Sequence, residues 1–511
     1  MLHRLKTRSQ LVGLLSFNSA SWRAGSISHL WVGALGRAWI HSDAGRDAGA
    51  AAATTTAQGV QPVAVEAPPD LPTNKIHLLG LPLSELQDKL LAMGLEKYRA
   101  QQIFNWVYRK GATSFDVMTD IKLDVRERLK ETFELVPARI RTMSQSTDGT
   151  RKWLVEVAPQ PGKGQVIETV FIPNVGVPSL HDAALPSPNA SRYVTSKPTK
   201  TVLKVPLSKS DADHTGVDHD AIAQAFKEIE VERGSVCVSS QVGCSLRCAF
   251  CHTGTMPKSE LRNLTAAEIV GQVMMVKHEM GDYVPQAAPT PNTPLRLPDS
   301  SVTNIVLMGM GEPGYNYRNV KAALSVLLDP NGLAFGKRRI TLSTSGVVPV
   351  IDRLGEELNV NLAISLHAVR DELRDVLVPI NKTYPLKMLM EACRRYPGVK
   401  NNRVVTWEYV MLEGVNDTIE DARELVRLLK GIPSLVNLIP FNPWPGSKFK
   451  TSSMNRIRRF QQEVLEGGDG LLKCSIRTPR GRDILAACGQ LAVINNANKQ
   501  LSEAIVSAES Q

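Results

Sequence analysis

Three cysteines fall within eight residues, Cys244-Ser245-Leu246-Arg247-Cys248-Ala249-Phe250-Cys251, with spacing C-x3-C-x2-C. Thiolates this close on a loop can converge on one metal centre, and cysteine ligation suits iron–sulfur clusters and zinc. Three cysteines on a four-iron cubane leave one iron open to a small molecule, which makes such a site reactive and not merely structural. His252, next in the chain, keeps a Cys3His zinc knuckle open. Cys248 to His252 also matches the C-x-x-C-H haem-attachment pattern, which leaves Cys244 without a role. Three adjacent cysteines cannot all pair among themselves.

The elements around this loop must place it. From residue 234 the chain alternates strand and helix, with β-branched runs at 235–240, 304–309, 338–343, 360–366, 403–411 and 434–439 and a further one at 471–477. Thr265 and Glu268 form a capping box that starts a helix with Ile269, Val273, Val276 and Met280 on its buried stripe. Alternation of this kind predicts an α/β fold with a parallel sheet, as a full or partial barrel. The polar motifs then fall at matching places. Cys244 follows the first strand and Gly309-Met310-Gly311-Glu312-Pro313 the second. Ser343 to Gly346 end the third, Ser365-Leu366-His367 the fourth, and Asn442 follows the sixth. Carboxyl ends of parallel barrel strands share one face, where active sites assemble. Gly309 and Gly311 let backbone approach a ligand, and Glu312 could hold its ammonium group.

A chain of 511 residues is long enough for a large core and more than one domain. Seven cysteines are too few for a disulfide scaffold, and their clustering points to a reducing compartment. The net charge of +10 suits an acidic partner such as nucleic acid. No apolar run is long enough to span a bilayer. Residues 1–42 hold no Asp or Glu but carry Arg4, Lys6, Arg8, Arg23 and Arg37. This start reads as an organelle transit peptide, mitochondrial before chloroplast, or as a disordered tail. With the linker that follows, it fills 1–73. Residues 75–135 read as a small helical domain with Leu83, Leu86, Leu90 and Leu91 on one face. Its Arg99, Arg109 and Lys110 are candidate RNA contacts or a solvated edge. A β-rich connecting segment fills 136–173, where Glu168 sits in an apolar strand, either on its exposed face or as a pocket-facing base. Residues 174–233 and 281–300 read as insertions, 234–445 as the core, 446–495 as a C-terminal extension and 496–511 as a tail.

The chain resembles the RlmN/Cfr family of radical-SAM RNA methyltransferases, and within it the RlmN side. The resemblance is carried by Cys237 to Gly243, the cysteine cluster, Gly309 to Pro313, Leu342 to Gly346, Ile364 to His367, Asn437 to Pro443 and Ala486 to Leu491. Gln101-Gln102-Ile103-Phe104 also resembles the family's accessory domain. The likeness runs from about residue 75 to 495, and the chain departs from it at the two insertions and at Gly314-Tyr315.

The resemblance implies a radical-SAM partial (β/α)6 barrel with a small N-terminal helical accessory domain. It implies Cys244, Cys248 and Cys251 as ligands of a [4Fe–4S] cluster. Gly311, Glu312, Ser343, Ser365, Leu366, His367 and Asn442 become the site of S-adenosylmethionine, and Cys488 the methyl carrier. Glu168 becomes the base that removes the C2 proton of an adenine. Cys237 becomes the thiol that captures Cys488 as a disulfide. Without the resemblance, Cys237 and Cys488 read as small buried residues. The implied partners of this monomer are large-subunit ribosomal RNA, tRNA for some members, and a flavodoxin- or ferredoxin-type electron donor. Lys337-Arg338-Arg339, Arg456-Arg458-Arg459 and Arg477-Arg480-Arg482 are candidate phosphate contacts. The rivals are Cfr-like methylation at C8, a zinc-stabilised RNA-binding module and a degenerate barrel kept as an assembly factor.

Overall fold

The computed structural model describes residues 75–135, 138–160, 163–174, 233–283, 300–400, 403–468 and 470–492. The expected transit peptide and linker, the tail and nearly all of both insertions lie outside these residues. Seven parallel strands lie side by side: β6 (Gly234–Cys237), β9 (Val302–Leu307), β10 (Ile340–Thr344), β11 (Asn361–Ser365), β12 (Val405–Met411), β13 (Ser434–Pro440) and β14 (Leu472–Ile476). Parallel neighbours need a crossover, and helices supply it. They are α4 (Ala266–Glu279), α5 (Tyr317–Leu328), α6 (Val348–Glu357), α7 (Asp371–Leu377), α8 (Leu386–Arg395), α9 (Ile419–Leu429) and α10 (Met454–Gly467). Every residue of β10 and of β12 is buried, as expected of strands covered on both faces.

The sheet does not stop at β6. β5 (Lys163–Pro173), β4 (Arg151–Gln160) and β3 (Arg139–Gln145) add to it as an antiparallel meander, giving ten strands in one mixed sheet. The connecting segment is thus an edge of the core sheet. β14 pairs with β13 in the same way, so the core sheet also carries past residue 445. A separate two-residue pair, β7 (Gln241–Val242) with β8 (Arg262–Asn263), brackets the cysteine loop.

The helical block comprises α1 (Leu83–Ala92), α2 (Tyr98–Phe104) and α3 (Leu123–Thr132), closed by a parallel pair of β1 (Ile76–His77) and β2 (Phe133–Glu134). α2 runs on into a π-helical turn at Asn105–Arg109, which buries Trp106 and Tyr108. Leu86 and Leu90 are buried as the spacing predicts, but Leu91 is 51% exposed. The face is narrower than four leucines suggest. The block packs tightly on the core: a Cβ on Gly80 would stand 2.4 Å from the Ala266 backbone, at the start of α4.

The capping box forms as expected, with the Thr265 side chain accepting from the Glu268 N–H. From α4, the fully buried Gln272 then reaches the sheet. Its amide oxygen accepts from Thr169 Oγ1 (2.9 Å) and from the Ser239 N–H (2.8 Å), and its NH2 donates to the Ser239 carbonyl (3.0 Å). One side chain therefore joins β5 to the turn after β6. Gln272→Leu would strand three buried polar groups. We expect a loss of about 2–4 kcal/mol of stability, read by chemical denaturation.

Candidate active site

The cysteine loop bends through two residues of positive φ, Gly243 (φ 68°) and Arg247 (φ 54°), and the Ala249 N–H is anchored on the Leu377 carbonyl (3.0 Å). These bends turn Cys244, Cys248 and Cys251 onto one cavity of about 150 Å³ at the carboxyl ends of the parallel strands. Burial pushes the Cys244 thiol up to about 12 and the other two upward as well. Such thiols ionise against a bound metal.

The second strand supplies the floor. Gly311 has φ 100°, and a Cβ there would stand 2.5 Å from that of Gln241. Gln241 Oε1 in turn accepts from the Glu312 N–H at 2.8 Å. Glu312 is 2% exposed, and its two oxygens accept from the N–H groups of Gly314 (2.9 Å) and Ser345 (2.8 Å). Burial pushes its carboxyl upward, against the hydrogen bonds from these backbone groups and from the Thr344 and Ser345 side chains. Gly314, where the chain departs from the family pattern, sits where a Cβ would meet Val347 at 2.7 Å and Glu312 Oε1 at 2.9 Å. Ser343, Ser365 and His367 line the same cavity. His367 has φ 59°, and its Nδ1 accepts the Val410 N–H at 3.1 Å. Burial lowers its pKa to about 3, so it is a neutral imidazole. Leu366 differs from expectation. One residue past β11, its side chain is fully buried and is not among the lining residues, while Ser365 and His367 on either side are.

Cys488 also lines this cavity, and it lines a second one of about 70 Å³ with Cys237, Asn442, Arg477 and Arg480. Asn442 Nδ2 donates to the Cys488 carbonyl (3.3 Å), while its Oδ1 has no partner. Cys237 ends β6, and burial pushes its thiol up to about 12. Glu168 lines neither cavity. It is 1% exposed, and Lys152 Nζ stands 2.9 Å from its Oε1. Of its two expected positions, the exposed face is excluded.

His252 Nδ1 lies 3.2 Å from the Gln490 carbonyl, and its ring stacks on Trp444 with centroids 4.6 Å apart. This use of the ring speaks against a zinc knuckle. Among the described residues no three His, Cys, Asp or Glu close round a single ion. A cubane instead takes each thiolate on a different iron, and three cysteines on one cavity suit that mode of binding.

A family model of the radical SAM superfamily matches residues 238–429, and a ribosomal RNA large subunit methyltransferase N-terminal domain model matches 76–135. The dual-specificity RNA methyltransferase RlmN of Rhodopseudomonas palustris is 46% identical over 428 residues, 82% of this chain and 90% of the relative. That of Agrobacterium fabrum is 45% identical over 442 residues, 84% of this chain and 92% of the relative. The chain belongs to the RlmN family of radical-SAM methyltransferases. A radical SAM methyltransferase crystal structure from Sphaerobacter thermophilus superposes with TM-score 0.62 at 38% identity, covering 81% of this chain and 99% of that one. The fold is the radical-SAM α/β fold with a family N-terminal domain, and its cofactors are a [4Fe–4S] cluster and S-adenosylmethionine. The site fits them: three thiols on one cavity, a glycine-floored carboxylate, and on the same lining a Glu408 oxygen (Oε2) that takes no hydrogen bond.

Sequence reasoning missed two groups here. Glu408, on β12, lines the first cavity and is 5% exposed, with Arg477 Nη1 at 3.7 Å. Arg477 belongs to a basic cluster that suggested phosphate contacts, yet it lines both cavities. Lys337 to Arg339 precede β10, at the end of the strands away from the cavity. Arg99, Arg109 and Lys110 each have a partner within the protein: Gln102, the Pro330 carbonyl and the Trp106 ring.

The other missed residue is Arg374, which is fully buried on α7. It donates to the carbonyls of Ser345 (2.7 Å), Ser365 (3.1 Å) and Leu366 (3.0 Å) and to Asn381 Oδ1 (2.9 Å). One guanidinium thus holds the loop ends of β10 and β11 together. Nothing in its local sequence marks it, since three of its four acceptors are backbone carbonyls. Arg374→Met should cost about 3 kcal/mol or more by denaturation, and it should weaken S-adenosylmethionine binding in equilibrium dialysis. Arg374→Lys should recover little of either, for lack of the planar fork.

Proposed function

We propose that this protein methylates C2 of an adenosine in large-subunit ribosomal RNA and in tRNA, with the methyl group carried on Cys488. The observation that carries the reading is that one thiol, Cys488, lines both the cavity of the three-cysteine loop and the cavity of Cys237. The dual-specificity name of the relatives supports the two RNA classes.

In this reading Cys244, Cys248 and Cys251 hold the cluster. Gly311, Glu312, Ser343, Ser365, His367 and the backbone at Leu366 surround S-adenosylmethionine, with Asn442 at the far side. When bound, the cofactors supply a transferable methyl group and, by one-electron cleavage, an adenosyl radical. Cys488 takes the methyl group as a nucleophile, at the cavity where the donor sits. The methyl group on Cys488 would lose one hydrogen atom to that radical and bond through its carbon to C2, after which Glu168 would accept the C2 proton. The Cys237 sulfur then bonds to that of Cys488 and releases the product, leaving a disulfide for later reduction. The adenosine must leave its stack to reach this face, so a loop or single-stranded target fits.

Arg480 and Arg482 beside the second cavity, and Arg456, Arg458 and Arg459 on α10, are the phosphate contacts of this reading. A small electron-transfer protein would supply reductant to a monomeric enzyme. Among the described residues no helix is long and apolar enough to cross a membrane. An organelle destination, the mitochondrion first, rests on the basic start of the chain. Cfr-like C8 methylation is the weaker reading because the relatives are RlmN proteins, and the superfamily match leaves the zinc module without support.

Anaerobic turnover of reconstituted protein with S-adenosylmethionine, reductant and ribosomal RNA or tRNA should give 2-methyladenosine by nucleoside mass spectrometry. An 8-methyl product would overturn the reading. Cys488→Ala should give neither product nor protein–RNA adduct. Cys237→Ala should instead accumulate the adduct on denaturing gels, and clean turnover in that variant would refute its resolving role.

A further inference from the structure

The base assigned above sits in a place that should disarm it. Glu168 is 1% exposed, and burial drives its carboxyl toward the neutral, proton-bearing form, which cannot accept a proton. One side chain opposes this. Lys152, on the neighbouring strand β4, is itself only 13% exposed, and its Nζ lies 2.9 Å from Glu168 Oε1. The same ammonium donates to the Leu485 carbonyl at 3.1 Å, in the segment that carries Cys488. Glu168 Oε2 has no hydrogen-bond partner, although the Ala492 amide is near enough to favour the charged form. Lys152 therefore bridges the acid and the carrier segment, while one carboxylate oxygen stays free.

The geometry points to Lys152 as a positioning residue of the methyl transfer: its Nζ, 2.9 Å from Glu168 and 3.1 Å from the Leu485 carbonyl, favours the proton-accepting form of that base and ties it to the segment bearing Cys488. The inference rests on Glu168 being the base of the reaction. Its step is the proton transfer. The C2–H bond of the adduct breaks and an O–H bond forms on Glu168, with the electron pair staying in the ring. The surplus single electron would pass to the oxidised iron–sulfur cluster that Cys244, Cys248 and Cys251 would hold. The carbon–sulfur bond to Cys488 then breaks as the Cys237 thiolate bonds to that sulfur. The carbon keeps the pair and takes a proton to become the methyl group.

Methylation of Cys488 does not use Glu168, so loading and release should separate. In the full-length reconstituted protein, Lys152→Met should methylate Cys488 as the wild type does, read by peptide mass spectrometry without RNA. With RNA it should accumulate the covalent adduct and release product roughly a hundredfold more slowly. Lys152→Arg, which keeps the charge, should release within a few-fold of wild type. Glu168→Gln is the control on the base itself: clean turnover there would refute the base assignment whatever Lys152 does. If Glu168→Gln traps the adduct but Lys152→Met turns over normally, the inference about Lys152 fails. It also fails if Lys152→Met and the milder Lys152→Gln both lose folding or Cys488 loading, since the residue would then serve only the architecture of the loop.

Discussion

Cys488 sits on a stretch of chain that borrows its hydrogen bonds. From Arg477 to Ala492 there is no helix or strand. A segment of that kind must satisfy its buried backbone groups with partners from elsewhere. It finds them in three places. The β3–β4 hairpin supplies Asp148 Oδ2 for the Gly481 N–H (2.9 Å), Ser146 Oγ for Asp483 (2.6 Å) and Lys152 for the Leu485 carbonyl. The chain after β13 supplies Asn442 for Cys488 and the Pro443 carbonyl for Gln490 Nε2 (2.7 Å). The cysteine loop supplies the His252 N–H for the Gly489 carbonyl (2.8 Å) and Thr253 Oγ1 for that of Leu491 (2.5 Å). Cys488 therefore keeps its position only while the hairpin, the last parallel strands and the cysteine loop are all in place.

That dependence explains why the sheet is extended at both edges. A parallel core alone would supply the cysteine loop and the polar strand ends. The antiparallel meander adds Glu168, Lys152 and the clasp on the C-terminal segment. β14, on the opposite edge, launches that segment back across the face of the sheet. The last residue of β6, Cys237, lies where the two halves of the sheet meet. It pairs with Val170 on the antiparallel side and Val306 on the parallel side. Cys237 and Cys488 thus reach one small cavity from distant parts of the sequence.

Much of the core was legible because its signals are local. β-branched runs mark the strands, Thr265 and Glu268 mark a helix start, and the polar motifs follow strands at regular intervals. Position along a parallel strand also tells its end, which is why Lys337 to Arg339 could have been placed away from the cavity from the order of residues alone. What was not legible depends on contacts between distant parts. Lys152 and Leu485 are 333 residues apart, and Arg374 acts through backbone carbonyls that carry no side-chain signature. Leu366 was included with its neighbours because a motif names consecutive residues, whereas consecutive side chains need not face the same cavity. Glu168 showed the reverse: the apolar run around it was evident, but the lysine that makes its burial tolerable lies on another strand.

Three buried charges around the site are handled in three ways, and the differences follow the chemistry available to each. Arg374 has only neutral acceptors, so its charge is spread over four hydrogen bonds and serves to fix loops. Glu408 and Arg477 stand 3.7 Å apart across a cavity wall, and Glu408 keeps Oε2 without a hydrogen bond. Glu168 and Lys152 are closer, at 2.9 Å, yet one carboxylate oxygen again stays unpartnered. A buried ion pair replaced by packed apolar side chains is often no less stable, so stability alone does not call for these pairs. Unused lone pairs on two buried carboxylates make sense where a proton or a ligand has to arrive, and both lie within the frame that the C-terminal segment completes.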